Sequence, residues 1–240
     1  MKNFFTLLLL CGLTAAAPAL DFNLNTGGGV CLGGHFTRYS LSSTGPVSSI
    51  DAEQKNNKFN AGFFAFFDAA LVEFSTGVHT GIFSYFEADR ISSAGVQGEK
   101  NTHSGTGQEV MLDLVLLGKY PFTLNDRLSL FPLAGMAYQV CLVQNRDGRS
   151  RTYELDVDGN YYTLSFWNAM FINLGAGVDF DLSSSLFLRT ELIYEIRMKT
   201  RYEKDALEEV ERTVDAASTR LSGLSSGPIL RVAAGWRIRK

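Results

Sequence analysis

The spacing of the connections constrains this chain more than any other feature. After the first 20 residues, strand-length segments of alternating apolar and polar residues are separated by gaps that alternate between long and short. Long polar gaps run from about Leu41 to Asn57, Glu87 to Thr106, Gln144 to Ser165 and Tyr202 to Gly227. Short breaks fall at Asp68-Ala69-Ala70, Pro121 to Asp126 and Asp181 to Ser185. The result is eight strand candidates and seven connections, in the order long, short, long, short, long, short, long. That rhythm predicts an all-β fold: an eight-stranded antiparallel up-and-down transmembrane β-barrel with four long extracellular loops and three short periplasmic turns.

The start of the chain reads as an export signal. Lys2 supplies a positive n-region, Phe4 to Leu13 an apolar h-region, and Ala17-Pro18-Ala19 an A-x-A cleavage site, which leaves Leu20 as the mature N-terminus. The expected organisation is therefore a signal peptide over 1–19 and one outer-membrane β-barrel domain over 20–240. Cys11 raises a lipoprotein alternative, but Leu8-Leu9-Leu10 lacks the small residue wanted beside a lipidated cysteine. No later run approaches 18 consecutive apolar residues, so a helical span after the signal is not expected. A formal net charge of −3 gives no support for nucleic-acid binding. Cys31 and Cys141 fall on opposite sides of the expected barrel, too far apart for a disulfide, and are expected as free, buried thiols.

A membrane barrel turns one side of each strand to lipid and the other to the lumen. The seventh candidate strand shows this best, with Leu186, Leu188, Leu192, Tyr194, Ile196 and Met198 on one side and Arg189, Glu191, Glu195, Arg197 and Lys199 on the other. The third, fourth, sixth and eighth alternate similarly. Phe63-Phe64-Ala65-Phe66-Phe67 has no clear facing, and the fifth strand is apolar on both sides around Pro132, where a missing backbone donor suggests a bulge or strand end. Because eight strands enclose room only for side chains or one small ligand, Glu73, Asp113, Arg189, Glu191, Glu195, Arg197 and Arg231 are expected to pair in the lumen as a plugging charge network. Tyr39, Tyr85, Phe86, Tyr162, Phe166, Trp167, Tyr194 and Tyr202 would form an aromatic girdle on the loop side; Phe67, Tyr120, Phe122, Phe131, Phe180, Phe187 and Trp236 would form one on the turn side.

Chemistry is sparse. No metal motif includes any of the three histidines, and no cofactor is expected. His103-Ser104 with Glu109 lacks a placed orienting group and oxyanion donors, so the chain is read as not an enzyme; an outer-membrane lipid-modifying enzyme is a remote alternative. His35 and His79 are read as lumen or interface residues, and Gly27-Gly28-Gly29 has no helix after it to make a phosphate loop. Loops carry the remaining functional information. Candidate surface contacts are Arg149, Arg151, Tyr153, Tyr161 and Tyr162 in the third long gap. In the fourth, Leu207, Val210 and Val214 have the spacing of a short amphipathic helix. Asp156-Val157-Asp158-Gly159-Asn160 is read as a solvated turn rather than a calcium loop.

With this pattern in view, the chain resembles the small eight-stranded outer-membrane barrels of the OmpX, OmpA and OmpW types. In size, and in Gly118-Lys119-Tyr120-Pro121-Phe122 leading to Leu128-Ser129-Leu130-Phe131-Pro132-Leu133, it is also similar to treponeme-type spirochaete barrels. The resemblance implies a bacterial outer-membrane location, lipid contact, and periplasmic chaperones and insertion machinery during assembly. It implies a surface-exposed anchor whose loops serve adhesion or meet a host or other extracellular ligand; the alternative is a narrow porin-like channel of OmpW type for small hydrophobic or ionic solutes. One departure is the ending Trp236-Arg237-Ile238-Arg239-Lys240, where such barrels commonly finish on an aromatic residue.

Overall fold

A computed structural model describes residues 24–46, 48–69, 71–93, 96–147, 149–150, 153–155, 161–163, 168–198 and 218–238. Eight long strands form the barrel: β1 (Leu24–Thr44), β2 (Ser48–Ala69), β3 (Val72–Ser93), β4 (Lys100–Lys119), β5 (Leu128–Arg146), β6 (Ala169–Asp181), β7 (Leu186–Arg197) and β8 (Ser218–Ile238). Each pairs antiparallel with its chain neighbours, and β8 pairs with β1 from Leu24↔Ile238 to Thr44↔Ser218, closing the ring. Closure gives every long strand a partner on both sides, as a lipid environment requires. The first and last described residues pair with each other, so both ends of the barrel chain lie on the side of the tight turns.

Side chains alternate across the wall as the period of two requires. Val30, Leu32, Phe63, Val78, Leu116, Leu174, Leu192 and Val232 all point outward and are exposed, forming a continuous apolar belt. In water that belt would be an aggregation surface; in a bilayer it is the lipid contact of a transmembrane barrel. The ambiguous second strand has a definite facing, with Phe63 and Phe67 outward and Phe64 and Phe66 buried. On β5, Phe131, Leu133, Ala137, Gln139 and Cys141 face in. No disulfide joins the cysteines: both are free, Cys141 buried and Cys31 half-buried.

Four expectations need correction. The gaps at 41–57 and 87–106 are not long loops: β1 and β2 stay paired to Thr44↔Ser49, and β3 and β4 to Arg90↔Lys100. Once the strands leave lipid they lose the apolar stripe, yet the backbone ladder does not depend on it. About 10 residues suffice to span a bilayer, so β1 to β4, at 20 to 22 residues each, rise well beyond the belt. Secondly, Pro132 marks neither a bulge nor a strand end. It lies between Leu133↔Lys119 and Leu130↔Phe122, where β5 passes from pairing with β4 to pairing with Phe122–Asn125 and no partner stands on that side. The register shifts along β5 lie instead between Val110 and Met111 and between Thr123 and Asn125.

Thirdly, Tyr85, Phe131 and Phe187 do not belong to interfacial girdles; all three are buried inside. Tyr120, Phe122, Phe180 and Trp236 do lie exposed toward the turn side, and Tyr194 toward the other. Lastly, the lumen is not plugged by charges alone. Phe64, Phe66, Phe131, Phe187, Leu117 and Ile193 enter it, and glycines on neighbouring strands make room for the rings. A side chain at Gly177 would collide with the Phe131 ring, and one at Gly235 with the Phe187 ring. Gly27, in the triple-glycine run, lies beneath Phe66 in the same way. Gly235→Val should therefore destabilise the barrel by roughly 1–3 kcal/mol through overpacking. A urea unfolding midpoint in detergent micelles equal to that of the parent protein would refute this packing account.

Candidate functional site

Two side-chain clusters stand out, one sealing the lumen and one above the belt. The seal is built on Arg189, which β7 projects inward between aromatic rings. Its Nε and Nη2 donate to the two oxygens of Asp179 at 2.7 Å each, its Nη1 donates to Glu73 Oε2 at 2.6 Å, and Nη2 also reaches Asp68 Oδ2 at 2.9 Å. The guanidinium lies 4.6 Å from the Phe66 ring centre and 5.2 Å from those of Phe131 and Phe187. Lys119 donates to Asp68 and lies over Phe131. Arg231 joins Glu73 at 3.3 Å and Glu191 at 3.0 Å, and stacks 3.9 Å from Phe64.

A buried guanidinium is tolerable only when paired and hydrogen-bonded, and here the bidentate Asp179 pair supplies the strongest geometry. Arg189, Glu73 and Glu191 have no solvent exposure. Chemically, the layer is a plug of ion pairs wedged between rings, and no solvent reaches its centre.

Of the residues expected in the charge network, Glu73, Arg189, Glu191 and Arg231 meet in this layer. Glu195 sits further up, 3.1 Å from His35, and Asp113 Oδ2 lies 2.8 Å from His79 Nδ1. Arg197 is half-buried at the upper end of β7. The expected network leaves out Asp68, Lys119 and Asp179: Lys119 and Asp179 share the polar sides of their strands, a usable signal, whereas Asp68 falls in a short break. Between the seal and the two histidines lies a cavity of about 40 Å³ open to water centres, lined by Cys31, Asn60, Ser75, His79, Asp113 and Asn173 among others. At roughly 10–15 Å³ per water it suits about three. Asn60, Ser75 and Asn173 face it with polar atoms that have no protein partner among the described residues.

The upper cluster gathers where β3, β4 and the end of β5 rise out of the belt. Tyr85 donates to Asp147 Oδ2 at 2.5 Å and lies 2.9 Å from His103 Nε2, which is itself 3.7 Å from Asp147. Arg146 stacks 3.7 Å above the Tyr85 ring and pairs with Glu87 at 2.8 Å. Ser104 takes no part: adjacent residues on a strand point to opposite sides, so His103-Ser104 is not a nucleophile and its base. Glu109 pairs instead with Lys58 at 2.6 Å.

Arg149 belongs to a two-residue strand paired with the end of β5, and Tyr153 pairs with Thr163, and Tyr162 with Glu154, in a small separate hairpin that also includes Tyr161. Arg151, Leu207, Val210 and Val214, the 156–160 turn and the export signal lie outside the described residues.

No protein-family model matches the chain, and no curated protein does. Among solved structures it is similar to Ail, the attachment invasion locus protein of Yersinia pestis, in complex with the heparin analogue sucrose octasulfate, at 11% identity over 90% of this chain and 99% of that one, with a TM-score of 0.27. It is also similar to the translocator domain of the autotransporter NalP from Neisseria meningitidis (12% identity, 99% and 97% covered, TM-score 0.26) and to the outer membrane protease OmpT from Escherichia coli (8%, 92% and 99%, 0.31). The reading of the chain as not an enzyme is corrected: a β-barrel architecture gives no ground for excluding catalysis.

Two predictions follow from the geometry. Arg189→Ala strands Asp68, Glu73 and Asp179 in the lumen and should cost about 3–5 kcal/mol, as breaking a buried pair does. The check is the equilibrium urea midpoint in micelles, where a loss below about 1 kcal/mol, within the range of an exposed pair, would count against the seal. Above the belt, the hydrogen bond from Tyr85, helped by His103 and Arg146, holds the Asp147 carboxyl below the usual range. A depressed folded value gives stability that is present above the unfolded value of about 3.9 and is lost as pH falls through the folded one. Tyr85→Phe should raise the Asp147 titration midpoint, read by NMR of the carboxyl carbon; an unmoved midpoint would remove Tyr85 as the cause.

Proposed function

We propose that this is an integral protein of a bacterial outer membrane, exported by a signal cleaved after Ala19. In this reading the sealed barrel anchors a surface-exposed extension that serves adhesion or contact with a host or other extracellular ligand. The observation that carries the reading is the pairing of a closed lumen with an overgrown wall. Arg189 and its partners fill the lumen beside Phe66, Phe131 and Phe187, while β1 to β4 and β8 continue far past the length that lipid requires. Residues invested outside the membrane serve what lies outside it.

A narrow solute channel finds less support. A cavity of about 40 Å³ capped by ion pairs offers room for waters, not for a drug-sized ligand or a hydrated path. Partners on this reading are outer-membrane lipid, the periplasmic chaperones and insertion machinery of assembly, and an extracellular ligand at the extension and loops; nucleic acid is not among them. Planar-bilayer recording of the refolded mature protein, checked by heat-modifiability on a gel, tests the proposal. The expected result is a folded barrel without discrete conductance steps. Reproducible unitary channels from the folded protein would replace the anchor with a transporter.

A further inference from the structure

The two sides of the extension carry opposite charge. Register partners point the same way, so the rows continuing the outward side of Phe36 can be read directly. The first is Leu224, Arg38, Lys55, Phe86 and Ser104; the next is Ser222, Ser40, Glu53, Ala88 and Thr102; the third is Arg220, Ser42, Asp51, Arg90 and Lys100. Five cations share this side with only two carboxylates. The opposite side carries Glu87, Asp89 and Asp147 against Arg146. The outward side is thus basic, and it is continuous with the lipid-facing belt through Phe36, Phe59 and Ile82.

Within it, two cation pairs stand directly opposite each other across strands, Arg38↔Lys55 and Arg90↔Lys100. Like charges in that position repel. The first pair is reconciled by Glu53, 3.4 Å from Arg38 and 2.9 Å from Lys55. The second has no such carboxylate among the described residues: Asp51, opposite Arg90, accepts from Ser42 at 2.8 Å, and the shielded Nε of Arg90 has no protein partner. With no carboxylate in ion-pair contact among the described residues, the two cations leave donors open to an anion.

We propose that this outward face binds the phosphorylated headgroup of a glycolipid in the leaflet around the barrel, with Arg90 and Lys100 as its upper phosphate contact and Lys55 and Arg38 below them on the next two strands. The height fits. At about 3.3 Å per residue and about 40° of tilt, Arg38 lies roughly 5 Å, and Arg90 roughly 15 Å, beyond the row of Phe36. A saccharide-bearing headgroup spans that range, and a basic strip beside a bilayer attracts anionic lipid. The inference rests on the membrane-barrel reading above.

The test places the protein in nanodiscs of phosphatidylcholine alone and of phosphatidylcholine with phosphorylated lipopolysaccharide. Thermal unfolding is read by the loss of the heat-modifiable gel band. The parent protein should unfold at higher temperature in the lipopolysaccharide discs, and raising salt from about 0.05 to about 0.5 M should erase most of that gain as the screening length shortens. R90Q/K100Q should be at least as stable as the parent protein in phosphatidylcholine, because repulsion is relieved, and should lose most of the gain. K100Q alone, at an exposed position, should lose part of it and serves if the double variant does not fold. Equal gains in parent and variants overturn the assignment while leaving the barrel intact. Protection by a soluble heparin oligosaccharide in phosphatidylcholine discs, without protection by lipopolysaccharide, overturns the headgroup in favour of a free polyanion. Failure to enter either disc overturns both this inference and the membrane reading.

Discussion

Arg189 at the centre of the barrel is the interaction on which the rest depends. A guanidinium with no exposure, held by Asp68, Glu73 and Asp179 and boxed by three rings, joins strands β2, β3, β6 and β7 through one planar group. Backbone ladders alone bind only adjacent strands; this cluster ties opposite walls together across the axis. Removing water from so many charges is unfavourable, and the geometry offsets it with a bidentate pair to Asp179 and further hydrogen bonds to Glu73 and Asp68. The consequence for function is direct: the lumen is filled by structure, so recognition has to happen elsewhere.

The rings explain how ion pairs and apolar groups share so small a space. Phe66, Phe131 and Phe187 present their faces to Arg189, and each occupies volume that a neighbouring glycine leaves open. The glycines of the sequence are thus half of a packing arrangement whose other half lies on the next strand. Above the belt the same alternation has another use. With no lipid on one side and no lumen on the other, it separates a basic outward side from an acidic inner one, where Tyr85, His103 and Asp147 assemble.

Strand number, up-and-down order and the facing of strands such as β7 were legible in the chain, because alternation and turn chemistry are local properties. Strand ends were not. The polar stretches at 41–57 and 87–106 lose their apolar stripe and so look like loops, yet their backbones stay paired as far as Thr44↔Ser49 and Arg90↔Lys100. Asp68 looked like a turn residue until its strand was seen to reach Ala69. Phe131 and Phe187 looked like girdle aromatics because their height along the strand is right; only their side of the wall is not.

By itself the sequence determined that this chain closes a barrel: eight alternating segments with short and long connections leave few other ways to satisfy backbone groups and bury one side of every strand. Tertiary structure alone decided which charge meets which, that Tyr85 finds Asp147 62 residues away, and that Arg90 stands opposite Lys100. Those outcomes depend on register, and register is fixed by the whole ring closing at once, which no single segment encodes.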